Sequence, residues 1–174
     1  MAISWADIIA WETGPLDSIG SDLLEASSGL RSAYEQGEGA LQAVQSQGNA
    51  VTAMRATTIS NLASLERALT NVNGALIATE GARDGVATVM ANINALQAYA
   101  EANDCTILSD GSVTGKGTEN ERGEPSIALA AISSSIKKII KQADQVDTDL
   151  YHALSDINTD TYTDGTGAES QNNK

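Results

Sequence analysis

Apolar residues recur every three or four positions along three stretches of this chain. The first reads Leu16, Ile19, Leu23, Ala26, Leu30, Ala33, Gly37, Ala40, Val44. It begins after Thr13-Gly14-Pro15, where a proline with a preset φ suits the first turn of a helix. The second shows Leu62, Leu65, Leu69, Val72 and Leu76, then Val86, Met90 and Ile93. The third runs Leu129, Ile132, Ile136, Ile139, Ala143, Val146, Leu150, Ala153 without a miss, opening at Glu124-Pro125-Ser126. A period near 3.5 held over several heptads is the seam of packed helices, whereas a strand alternates every second residue. Three such seams predict an all-α protein, an elongated helical hairpin or bundle.

The second stretch predicts one very long helix, about 50–103, because it contains no proline. Gly74, Gly81 and Gly85 lie inside it, each costing about 1 kcal/mol relative to alanine. Around Thr79-Glu80-Gly81-Ala82-Arg83-Asp84-Gly85 the seam falters, with Thr79 and Arg83 where apolar residues belong. A continuous helix bent at that point is the preferred reading over a full break. If so, replacing Gly81 and Gly85 by alanine should raise helicity and melting temperature.

Between the second and third helices the period changes. Thr106-Ile107-Leu108 and Ser112-Val113-Thr114 flank Ser109-Asp110-Gly111, and Asp-Gly accommodates the positive φ of a tight turn. A small β-hairpin is expected at 105–115, leaning on the helices because two strands alone are marginal. A polar loop follows to Glu124, then a third long helix, 126–154. After Leu154 the chain turns to Asp, Asn, Thr, Gly and Ser, too little apolar surface to offset the entropy of ordering. The expected organisation is a helical bundle domain over 1–154 and a disordered acidic tail over 155–174.

Composition supports helix on helix: 27 alanines and only six aromatic residues stand among 174. Small side chains let helix backbones approach closely. The net charge of −13 repels a nucleic-acid duplex or an anionic bilayer, so no nucleic-acid partner is expected. No apolar run approaches the roughly 18 residues of a membrane span, and Met1–Asp7 lacks the charged and apolar regions of a Sec signal.

Candidate chemistry is sparse. One cysteine, Cys105, and one histidine, His152, exclude an internal disulfide and the common zinc sites. Cys105 reads as a buried small hydrophobe and His152 as an ordinary side chain near a helix end. Asp156-Ile-Asn158-Thr-Asp160 starts like a calcium loop but lacks its later glycine and glutamate. Gly115-Lys116-Gly117-Thr118 lacks the spacing and strand–helix context of a phosphate loop. The basic cluster Lys137, Lys138 and Lys141 reads as a solvated stripe, with Lys141 and Lys138 pairing with the acids that follow, Asp144, Asp147 and Asp149, or with the second helix. No cofactor, no metal and no catalytic residue is expected, and hence no enzymatic activity.

Four places resemble one family. The opening Ile3-Ser4-Trp5-Ala6-Asp7-Ile8-Ile9-Ala10-Trp11 resembles the apolar-x-x-Asp-apolar-x-x-Trp motif of actinobacterial helical-hairpin proteins related to the W-x-G superfamily, substrates of type VII (ESX) secretion. Ser46-Gln47-Gly48-Asn49-Ala50 stands where that family turns its hairpin; Gly48 and Ala50 match, and Ser46 replaces the tryptophan. Ala100-Glu101-Ala102-Asn103-Asp104-Cys105-Thr106-Ile107 and Asp110-Gly111-Ser112-Val113 are similar to its Ala-x-Ala-x-Gly and Asp-Gly-x-Val stretch. Lys141 to Leu150 looks like its closing Ala-x-x-x-Asp-x-Asp-Leu helix. The family's export signal is Tyr-x-x-x-[Asp/Glu]. Tyr99 is followed at +4 by Asn103, with Asp104 one step later, so Tyr99, Asn103 and Asp104 are the candidate export-signal residues.

The resemblance implies a non-enzymatic secreted or surface protein, cytoplasmic before a type VII (non-Sec) export. It would be a substrate itself or a coiled-coil partner that targets a larger effector or toxin to the machinery. The alternative is a self-associating structural or adaptor coiled coil that is not secreted. Either way the expected partner is a helical protein, in a hetero- or homo-oligomer. Candidate packing or interface residues are Trp5, Trp11, Leu62, Leu65, Leu69 and Val72, with Gly48 at the hairpin turn.

Overall fold

A computed structural model describes residues 3–163. The described residues are all-α apart from one small sheet: α1 (Trp5–Ile8), α2 (Gly14–Ala43), α3 (Asn49–Ala102), β1 (Thr106–Ile107), β2 (Val113–Thr114), a 3₁₀ turn (Lys116–Thr118) and α4 (Ile127–Thr163). The described residues form two compact units, 3–16 with 81–151, and 17–80 with 152–163.

In the first unit α1 is one turn fixed by a capping box. The Ser4 hydroxyl accepts from the Asp7 N–H, while the Asp7 carboxylate accepts from the Ser4 N–H at 2.9 Å and its hydroxyl at 2.6 Å. Those bonds, the hydroxyl's first, hold the Asp7 carboxyl below its ordinary pKa. The turn delivers Trp5 and Ile8 into a core with Val89 and Ile93 of α3 and Ile132 and Ile136 of α4.

The α4 seam is as expected: Ile132, Ile136, Ile139 and Ala143 are buried and Leu129, Val146 and Leu150 half-buried. On α3 the inward positions are Ala82, Val86, Val89, Ile93, Leu96 and Ala100.

The far end of α3 closes in a Schellman motif. Asp104 adopts φ +53; its N–H donates to the Glu101 carbonyl at 3.1 Å, and the Cys105 N–H reaches back to Ala100 at 2.9 Å. The hairpin then pairs Thr106 with Thr114 and Ile107 with Val113, and the Asp110 carboxylate accepts from the Ser112 N–H and hydroxyl across its turn. Those two bonds, the hydroxyl's first, keep the Asp110 carboxyl below its usual value. Ile107 and Val113 rest on the core, which is how two strands of two residues hold their place. The segment expected as plain polar loop contains the 3₁₀ turn, whose Gly117 N–H donates to the Asp104 carbonyl at 3.1 Å. Ser126 starts α4, accepting from the Leu129 N–H at 3.0 Å.

In the second unit α2 lies antiparallel to the first part of α3. Gly48, at φ +137, makes the turn, its carbonyl capping α3 through the Thr52 N–H at 2.9 Å, and Arg55 donates to the Val44 carbonyl. The seam of α2 corrects the sequence reading by one residue in every other position. Leu16, Leu23, Leu30, Gly37 and Val44 face inward, but with Gly20, Ser27, Tyr34 and Leu41 rather than Ile19, Ala26, Ala33 and Ala40. The reason is a polar pair: buried Ser27 donates its hydroxyl to the Asn73 side chain at 2.8 Å, fixing the rotation of the helix.

The long helix is continuous through Gly81–Gly85, as preferred. Its seam steps from Thr79 to Ala82, three residues and not four, so Arg83 is turned outward with its side chain half exposed. Thr79 is buried as the sequence placed it, satisfied by donating its hydroxyl to the Ala75 carbonyl at 2.8 Å. The two glycines differ, however. A methyl on Gly81 meets nothing, whereas one on Gly85 lies 2.6 and 3.0 Å from the two methyls of Val146, a side chain with one favoured rotamer in a helix. Gly81→Ala is therefore expected to raise the stability by about 0.5–1 kcal/mol, and Gly85→Ala to lower it by about 1–3 kcal/mol. Thermal melts of the two single variants, followed by circular dichroism at 222 nm, check the opposite signs.

Helix α4 runs past the expected boundary at Leu154 to Thr163. Ile157 seats against Gly74, 3.2 Å from where a side chain would begin, and that contact carries the helix onward. The first part of the expected tail thus belongs to α4, and 164–174 lie outside the described residues.

Candidate helix-docking surfaces

Among the described residues no three or more of His, Cys, Asp and Glu gather into a metal site, and no helix is long and apolar enough to cross a membrane. Among the described residues, two grooves lie within the unit of 3–16 and 81–151, and the other unit carries a set of exposed apolar side chains.

The larger groove runs between α3 and α4. Asn92, Ala95, Leu96 and Tyr99 line one side and Ala131, Ser135, Lys138 and Ile139 the other, around about 440 Å³. On each helix these positions fall at spacings of three and four, one edge of the helix beside its buried seam. Leu96 and Ile139 belong to the core beneath, so the floor is apolar. Asn92 donates its amide to Gln142 at 2.9 Å, tying the two helices at one end. Tyr99 stands 44% exposed on the rim. The smaller groove, about 220 Å³, lies beside Trp11, Leu16, Val86, Val146 and Leu150.

The candidate residues fall into distinct roles. Trp5 is buried at 3% exposure, and Trp11 is half-buried against the same core. Leu62 is buried beside Gly37, with Leu65, Leu69 and Val72 half-buried in the same stripe of α3. Tyr99, Asn103 and Asp104 are gathered at the end of α3. There Asn103 donates its amide to the Tyr99 carbonyl at 2.8 Å, and Asp104 is the left-handed residue of the helix cap. Cys105 is buried beneath that cap, as its sequence setting suggests.

The lysine cluster departs from expectation. Among the described residues Lys137, Lys138 and Lys141 make no ion pair with Asp144, Asp147 or Asp149; Asp149 instead accepts from Gln145 at 2.7 Å. All three lysines are exposed, and Lys138 lines the larger groove. The sequence signal was present, since three of the chain's ten basic residues stand within five positions. Its link to a groove depended on knowing which edge of α4 faces α3.

In the unit of 17–80, Ile19 and Leu24 of α2 and Met54, Ile59 and Ile77 of α3 are exposed, Ile77 at 70%. Ile19 and Leu24 flank the inward column of α2 on its two sides. Ile59 and Ile77 are five turns apart and point one way. Tyr34 sits inward beside Glu38 and Glu66, and the repulsion of Glu38 foremost lifts its phenol above the ordinary value. No family model, curated protein or solved structure matches this chain.

Proposed function

We propose that this protein works by binding other helices and not by catalysis, as a helical partner of type VII secretion. In that role it is exported itself or accompanies a larger effector. One observation carries the reading: the apolar surface of the α2–α3 pair is wider than its own seam. Two helices in contact need only a narrow stripe, whereas Ile19 and Leu24 extend the stripe to both sides on α2, and Ile59 and Ile77 stand exposed beside it on α3. That breadth suits helices of a bundle, with the surface that the end of α4 does not cover met by a partner's helices. The type VII assignment comes from the residues at 3–11, 46–50, 100–113 and 141–150 that resemble the family.

The test is the culture supernatant of the host, compared between wild type and a strain lacking the type VII ATPase. ATPase-dependent appearance outside, with a cytosolic marker retained, is the expected result. Retention in both strains overturns the secretion reading. The same apolar surface would then be covered by a second copy, and light scattering on the purified chain would show a mass that rises with concentration.

A further inference from the structure

We propose that the groove between α3 and α4, lined by Leu96, Tyr99, Ala131 and Lys138, is the docking site for a short amphipathic helix whose apolar stripe is bordered by Asp or Glu. The inference rests on the reading of the chain as a helix-binding protein and adds where one partner docks and what charge it carries.

Shape argues for a helix. Both walls present side chains at helical spacing, and the small residues Ala95 and Ala131 leave room between them. The trough is open to solvent, which suits a ridge of side chains laid along it. A small apolar ligand prefers a cavity that buries most of its surface. Ile127, 89% exposed, stands four residues before Ala131 on the same edge of α4 and lengthens the apolar track.

Charge selects the partner. The chain carries −13, yet Lys138 reaches into this groove, with Lys141 one turn further along and Lys137 beside them. Among the described residues none of the three is neutralised by an ion pair within the chain. A helix with carboxylates flanking its apolar residues would set them against these ammonium groups while its apolar side chains cover Leu96 and Ala131. Opposed charges at the rim add selectivity and association rate to the contact made by the apolar floor. A basic helix would be turned away from the same groove.

The experiment uses the full chain and two labelled synthetic peptides of about 14 residues, roughly 20 Å of helix. Both share one Leu/Ala stripe; one is flanked by Glu and the other by Lys. Fluorescence anisotropy is expected to show the Glu-flanked peptide binding at least tenfold more tightly. That preference is expected to vanish in Lys138→Glu/Lys141→Glu and to shrink as salt is raised. Ala95→Trp, a substitution at an exposed position that fills the trough, is expected to weaken the Glu-flanked peptide at least tenfold with helicity unchanged by circular dichroism. Amide shifts in ¹⁵N-labelled protein should cluster at residues 92–99 and 131–139.

Equal binding of the two peptides, indifference to Ala95→Trp, or shifts centred elsewhere would overturn the proposal. Saturable binding of oleate at these residues, with no binding of either peptide, would overturn it in favour of an anionic amphiphile. These outcomes are separate from export: the groove can fail in a protein that is secreted, and succeed in one that stays inside the cell.

Discussion

Gly117→Ala is expected to lower the stability of the protein by about 3–5 kcal/mol, the range reserved for strained or overpacked sites. Gly117 lies directly on the end of α3. A methyl built there overlaps the Asn103 carbonyl oxygen and stands 2.8 Å from the carbonyl carbon and 3.0 Å from Cys105 Sγ. The two nearest atoms it meets are backbone, in a helix end already fixed by the Schellman bonds from Asp104 and Cys105, so neither side yields cheaply. Moving the 3₁₀ turn away would break the bond from the Gly117 N–H to the Asp104 carbonyl and pull on Ser126, which reaches the Gly117 carbonyl with its hydroxyl while capping α4.

Gly123→Ala is the control. That glycine has φ +75 but nothing within 4 Å, so only the left-handed backbone is penalised, by about 1 kcal/mol. Urea unfolding of both variants, followed by circular dichroism, separates the contributions. Equal losses in the two would mean that Gly117 is not pressed against Asn103.

These glycines illustrate what the sequence conveyed and what it concealed. In α4 every seam position is Leu, Ile, Val or Ala and each is inward, because large aliphatic residues at a steady period leave one way to bury them. In α2 the choices were Ile19 against Gly20, Ala26 against Ser27, Ala33 against Tyr34 and Ala40 against Leu41, and a count of apolar spacing does not fix which member of each pair turns inward. The helix took the rotation that pairs Ser27 with Asn73, a partner far along the chain and invisible to a periodicity count. The step at Thr79–Ala82 left Arg83 outside and the small Ala82 buried, a choice that apolar spacing alone did not signal.

The hairpin was legible from Asp-Gly, whose turn chemistry is local. Gly115 and Gly117 looked like loop filler because what they avoid, the carbonyls of Asp104 and Asn103, is a tertiary neighbour. The capping box of α1 stands openly in Ser4-Trp5-Ala6-Asp7, and its pattern is enough to have placed that turn. The α3–α4 groove was only half legible: its lysines announced themselves, while its floor of Leu96, Ala131 and Ile139 appears once the two helices are in register.

The tryptophans near the start divide between packing and docking, and substitution separates the two roles. Trp5→Ala is expected to cost about 3–5 kcal/mol, as for other large core side chains cut to alanine. Trp5 is 3% exposed, shares a core with Ile8, Val89 and Ile132, and its Cβ and Cγ lie 3.1 and 3.3 Å from where Gly111 would carry a side chain. It therefore joins α1, the hairpin turn and the long helices, and its removal opens a cavity bounded by all of them. A larger residue at Gly111 would collide with the same ring while forcing a positive φ of 83°.

Trp11 is half-buried at the edge of the smaller groove, so Trp11→Ala is expected to cost about 1–2 kcal/mol, in proportion to the apolar area it covers. Urea midpoints measured by circular dichroism at 222 nm rank the two without relying on either indole as the probe. An unchanged midpoint for Trp5→Ala, together with lost capture of a helical partner, would assign Trp5 to a docking surface. A large loss of stability places it in the foundation that holds α1 and the hairpin against α3 and α4, and leaves partner binding to the grooves and exposed columns outside that core.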